Sequence, residues 1–210
     1  MLKKMKPWSY LRCILFIYLC GMFFFAQYFF FMVLNVALAW LALELGRGLL
    51  KVRGQLAIFL LGILWLLFYP NLPYLFTDFF HLQLLPIYHA DGHFLADSSA
   101  WLAFTTLVLP CLALPLIGFW QLTTVAERFF PRQQSHFLLA VSLLASLGIY
   151  VGRFLRLHTL HLFIQPFTTL WQIFGMWSGA KIIFILAFTL IQSVILYLIT
   201  LAEKQSPPKI

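Results

Sequence analysis

Charge is what this sequence has least of. Of its 210 residues only 10% are Asp, Glu, Lys or Arg, just six of them acidic, while 63% are hydrophobic. A soluble domain carries about a quarter charged residues, so an ordinary water-soluble fold is excluded, and lipid is the solvent that makes this composition tolerable. Cysteine is scarce as well. Cys13, Cys20 and Cys111 each lie inside an apolar run and form no CxxC or Cys/His metal spacing; they read as small lipid- or core-facing residues. There is no HExxH, no phosphate-binding loop and no recognised nucleophile motif. From Cys13 to Leu43 no residue is charged, and between Gly54 and Arg128 there is no Lys or Arg at all.

What charge there is has a pattern. The net +8 does not describe a nucleic-acid binder, because the basic residues form short clusters between apolar runs rather than one contiguous face. Such clusters are those of cytoplasmic loops. Lys3, Lys4, Lys6 and Arg12 precede the first uncharged run, and Arg47, Lys51 and Arg53 follow it. A run that long exceeds one helix of about 20 residues, and like clusters belong on one side, so the chain crosses twice and turns near Ala26-Gln27. The lysines before an apolar run imitate a signal peptide, but no small-residue cleavage site follows, and an uncleaved first span is expected. The same logic, with Glu127, Arg128 and Arg132 inside and Lys204 and Lys209 inside again, predicts spans over 9–26, 28–46, 55–69 with an outer helix 72–85, 101–120, 136–152 and 182–201. The expected fold is therefore all-α: a single polytopic transmembrane domain over 1–210 with about six helices, a broken third helix and both termini cytoplasmic. Pro110 and Pro115 are expected to kink the fourth span. A seventh span over 162–180 is the alternative, against an interfacial or re-entrant segment rich in Trp and Phe.

The break in the third helix is read from YPNLPYLFTDFFHL, Tyr69 to Leu82. About 14 residues from Leu56 to Tyr69 give roughly 21 Å of helix, short of the roughly 30 Å core. Pro70 disfavours helical geometry at Tyr69, Asn71 is a favoured N-cap and Pro73 suits a first helical turn. In the second helix Asn71, Tyr74, Asp78 and His81 are spaced 3, 4 and 3, which places them on one polar stripe. Leu72, Phe76, Phe79 and Phe80 make up the opposite side. Non-helical backbone at this depth is tolerated only against protein or a wet cavity. Either an amphipathic interfacial helix or a polar binding site satisfies this pattern.

Arg153 and Arg156 stand at the outer end of the fifth span, against the charge rule, and such exceptions are often held by partners. Ser142, Ser146, Tyr150 and Arg153 make a second stripe, while Gly148 and Gly152 form a GxxxG pair for close helix contact. Asp78 is accordingly expected to meet Arg153 or Arg156, with snorkelling to lipid phosphates as the alternative. The candidate polar site is Asn71, Tyr74, Asp78, His81, Tyr150, Arg153 and Arg156.

Three stretches, NVALAW at Asn35–Trp40, YPNLPYLFTDFFHL at Tyr69–Leu82 and GIYVGRFLR at Gly148–Arg156, together resemble the bacterial multi-pass membrane family catalogued as domain of unknown function 1361. The likeness extends over about residues 20–200. It implies a membrane fold and a polar site around Asp78, His81, Arg153 and Arg156, but no reaction, and it places the protein in a bacterial cytoplasmic membrane. One departure is Leu157-His158-Thr159-Leu160-His161, where the family pattern has Trp-Asn-Ser-Trp-Asp.

The function classes left open differ in what they ask of these residues. His89, Asp91, His93 and Asp97 lie in an outer loop and are weak metal-ligand candidates, since Asp/His mixtures suit zinc but Asp-Gly also marks an ordinary turn. A lipid-modifying or metal-dependent enzyme would use Asp78 and His81 as acid–base groups. A small transporter would use the broken helix, but no inverted repeat is evident. Asn35 and Glu44 are the strongly polar groups of the second span, and Glu44 is expected to pair near Arg47 and Lys51. The least demanding reading is a non-catalytic accessory protein whose outer pocket receives a lipid headgroup or a membrane protein partner. No cofactor can be named from the sequence.

Overall fold

The structure, a computed structural model, describes residues 6–26, 28–88, 92–94, 98–155 and 164–205. Its elements are α1 (Pro7–Phe25), α2 (Met32–Leu49), α3 (Gln55–Phe68), the one-turn α4 (Asn71–Tyr74), a 3-10 helix over Leu75–Leu84, α5 (Ser98–Phe129), α6 (Gln134–Phe154), α7 (Pro166–Leu170) with a π-turn over Trp171–Gly175, and α8 (Gly179–Gln205). Six of these stretches are long and apolar enough to cross a membrane, with α3, α4 and the 3-10 helix together forming the third over Gln55–Leu84. The protein is an all-helical, multi-pass membrane bundle.

Its packing is that of a molecule solvated by lipid. Bulky side chains such as Phe24, Phe59 and Leu190 face outward, while the buried stripe of α2 is Met32, Val36, Ala39, Leu43 and Gly46. That stripe recurs every three to four residues, the period of one helix face, and its small members let neighbouring backbones come close. Bonds between helices define two ends. Arg12, Glu44 and Arg128 mark one, and Met32, Asp78 and Arg153 the other.

The α1–α2 turn runs from Ala26, the C-cap of α1, to Phe31, the N-cap of α2, and bends through Phe29 in the left-handed region (φ 60°). Leu15 and Met22 are the buried residues of α1, Trp8, Leu11, Tyr18 and Leu19 pack part-buried against the core, and polar contacts add to this attachment. Glu44 does not rely on Arg47 and Lys51. Its carboxylate pairs with Arg12 of α1 (Nε to Oε1, 2.6 Å) and accepts the indole N–H groups of Trp8 at 2.9 Å and Trp40 at 3.2 Å. Arg47 instead lies over the Trp8 ring, 5.0 Å from its centroid. The aromatic ring offered by α1 drew Arg47 away from a helix neighbour. Glu44→Gln is expected to cost about 1 kcal/mol and to expose α1 to limited proteolysis before the rest of the bundle, readable by mass mapping of the first fragments.

Pro110 and Pro115 do not end α5, which runs unbroken over 32 residues, longer than the expected 101–120. Each proline removes the amide that would bond the carbonyl four residues back. For Pro110 that carbonyl is Thr106, and the Tyr18 hydroxyl of α1 donates to it at 2.9 Å. Neighbouring helices supply the missing donor, as membrane helices with prolines require.

The alternative seventh span is not formed by the residues described there. Over 164–178 the chain makes α7 and the π-turn, then leaves helical geometry at Met176. Lys181 explains the shape. Its side chain is buried rather than held in a loop, and its ammonium donates to the carbonyls of Ile173, Met176 (3.1 Å) and Gln172 (3.4 Å). These are the orphan carbonyls of a helix end. The Trp177 and Tyr150 rings flank the same ammonium at 4.7 and 5.6 Å.

Candidate functional site

The site is built on the break in the third span. Tyr69 stays helical (φ −52°, ψ −39°) despite the following proline, and Asn71 does not cap the next helix. With the Leu72 amide bonded to Tyr69, the Phe68 carbonyl is left over, and the Asn71 amide donates back to it at 2.8 Å. The break is therefore closed by its own side chain. Two glycines from other helices grip it. A Cβ on Gly118 of α5 would lie 2.7 Å from Leu72 Cδ1, and one on Gly148 of α6 would lie 3.0 Å from Pro70 Cγ. Gly152, the second member of the GxxxG pair, sits over the Tyr74 ring, 3.6 Å from where its own Cβ would be.

Beyond Tyr74 the chain winds as a 3-10 helix, not as the expected α-helix. Residues three apart then eclipse, so Leu75, Asp78 and His81 form one row, and Tyr74 and Thr77 the next. The four-residue stripe read from α periodicity is thereby split. Asp78 and His81 share a row, Tyr74 stands beside them and Asn71 faces the break.

Asp78 is wholly buried, and its side chain is enclosed by three helices. Oδ2 accepts the Asn35 amide of α2 at 2.8 Å. Oδ1 lies 3.4 Å from Arg153 Nη1 of α6 and 3.8 Å from His81 Nδ1. A carboxylate away from water requires such partners, because an unpaired buried charge costs several kcal/mol. Arg153 is also placed by the Thr77 carbonyl (3.2 Å to Nη2) and by Tyr74, whose hydroxyl is 3.4 Å from Nη1. His81 Nδ1 is 3.2 Å from the Asp78 carbonyl, and its ring packs against Phe31 at 4.3 Å between centroids. Unlike Asp78, Arg153 and His81 are partly exposed, with side chains 24% and 26% open.

The structure thus brings together Asp78, His81, Arg153 and Tyr74. Tyr150 lies elsewhere, packed on Phe154 and Phe184 toward α8. The serines of its stripe also face α8, where Gln192 donates to Ser146 Oγ (2.8 Å) and to the Ser142 carbonyl (3.2 Å) and Thr189 donates to Ser146 Oγ (3.0 Å). Arg156, His89, Asp91 and Asp97 fall outside the described residues. His93 is exposed on the loop that a β-bridge from Tyr88 to Phe94 closes. Among the described residues no three His, Cys, Asp or Glu side chains gather as a metal would need. Asn35 is the member that site reasoning missed. Its signal was an amide alone among apolar residues in the first turn of α2.

Chemically, the centre is a carboxylate with both oxygens engaged, holding a guanidinium and an imidazole that look outward. The family model described as "Protein of unknown function (DUF1361)" matches residues 34–195, a stretch that takes in every member of this centre. No curated protein and no solved structure matches the chain.

Proposed function

The chain belongs to the DUF1361 family of proteins of unknown function, and we propose that it acts by binding: a non-catalytic membrane protein that receives a lipid headgroup or a partner subunit at the Asp78 centre. On this reading it sits in a bacterial cytoplasmic membrane with both termini cytoplasmic, and the centre faces outward. The supporting observation is the burial of Asp78 with Asn35, Arg153 and His81 around its two oxygens. A carboxylate used in this way positions its neighbours rather than moving protons. Native mass spectrometry of the purified protein tests it. A ligand or protein that co-purifies with wild type and is lost from a folded Asp78→Asn variant is the expected result; identical spectra for the two would refute the reading.

A catalytic reading is favoured by one feature. His81 Nδ1 faces the Asp78 carbonyl and carboxylate, a placement that would leave Nε2 as an outward general base. Turnover of a bound lipid by wild type, abolished in His81→Gln while binding persists, would decide for it.

A further inference from the structure

We infer that the ligand of the Asp78 centre carries a phosphate group, held between Arg153 and His81; this assignment rests on the binding reading above. The contacts of Arg153 Nη1 and of His81 Nδ1 end on the same oxygen, Oδ1 of Asp78, so guanidinium and imidazole are neighbours on one wall. Asp78 is buried behind them and both are partly exposed. An anion arriving from outside meets donors first and the carboxylate not at all. Arg153 keeps donors to spare, because its contacts to Asp78, Tyr74 and Thr77 are long (3.2–3.4 Å) and engage the two terminal nitrogens of a fork with five N–H groups. A fork of this kind matches two oxygens of a phosphate, and His81 in its imidazolium form, with Nδ1–H turned to Asp78, offers Nε2–H to the third. A carboxylate has no third oxygen to give.

The neighbouring surface suits a lipid phosphate. At the same end of the bundle a nearly apolar groove of about 440 Å³ runs between α1 and α5, lined by Tyr18, Met22, Phe25, Tyr28, Leu102 and Ala103. The α1–α2 turn joins the two places, since Tyr28 lines the groove and Phe31 packs against His81. A headgroup at Arg153 can therefore leave its acyl chain in contact with protein.

The full chain in an uncharged detergent would be titrated with dioctanoyl phosphatidic acid, with dioctanoylglycerol and with inorganic phosphate, binding being read by native mass spectrometry and thermal shift. Phosphatidic acid is expected to bind at least about tenfold more tightly than dioctanoylglycerol, and Arg153→Lys, which keeps the charge beside Asp78 but loses the fork, to weaken it about tenfold. His81→Gln is expected to weaken it by a similar factor. Lys204→Gln, an exposed charge at the other end of the bundle, should change nothing. Inorganic phosphate competing as well as the lipid supports the site and identifies a soluble anion as its source. Equal affinity for both lipids, or equal loss in Lys204→Gln and Arg153→Lys, overturns the phosphate assignment. A phosphorus-free ligand displaced by Arg153→Lys overturns it too while leaving the binding reading intact; no displaced ligand of any kind overturns both.

Discussion

Arg153→Ala is expected to lower the stability of the purified protein by about 3 kcal/mol, the low end of what breaking a buried ion pair costs. The reason lies with the partner left behind. Asp78 has no solvent-exposed surface, and without Arg153 its Oδ1 retains His81 at 3.8 Å, a distance too long for a hydrogen bond. Asp78→Ala removes the buried charge itself, and Arg153, already 24% exposed, can turn outward, so the loss should be smaller. The double variant Asp78→Ala/Arg153→Ala is then expected to cost less than the sum of the two, the mark of a coupled pair. Thermal melts in detergent, supported by a double-mutant cycle, measure this. Additive losses, or a stable Arg153→Ala, would show that the two charges stand near each other without depending on each other.

The second large effect concerns the grip on the break. Gly118→Val should cost about 2–3 kcal/mol, typical of forcing methyl groups into a filled interior. A Cβ there already falls 2.7 Å from Leu72 Cδ1 and 3.2 Å from Leu72 Cβ. Valine adds two methyls to that space, on a β-branched frame that cannot swing aside. The strain falls on Leu72, within the turn that aims the 3-10 helix, so ligand binding should weaken along with stability. Leu72→Ala in the same chain clears the space and should restore part of both. If Gly118→Val melts like wild type, the contact between α5 and the break is looser than its geometry indicates.

Much of this molecule was readable before any coordinates. Composition alone demanded a lipid-solvated helical bundle, and the alternation of basic clusters with uncharged runs counted six crossings. The expectation that Asp78 meets Arg153 or Arg156 followed from charges placed where lone charges are costly, and the structure puts Arg153 there. Three features were out of reach, each decided by a partner that residue type and spacing do not name. Asn71 looks like an N-cap by residue type, but a carbonyl freed at Phe68 had the stronger claim on it. Glu44 has Arg47 one turn away, but it took Arg12 and the Trp8 indole from across an interface, with Trp40 of its own helix. Asn35 could be singled out as an isolated amide, but nothing local says that it faces a carboxylate on another helix.

The 3-10 winding of Leu75–Leu84 has a mechanical side. Such a helix turns about 120° and rises about 2.0 Å per residue, against about 100° and 1.5 Å for an α-helix. Rewound in the α form, the same residues would turn His81 roughly 60° about the axis and shift it about 1.5 Å along it relative to Asp78. The imidazole is thus aligned with its carboxylate by the pitch of the backbone, and the segment behaves as a screw thread on which His81 and Asp78 line up at one setting.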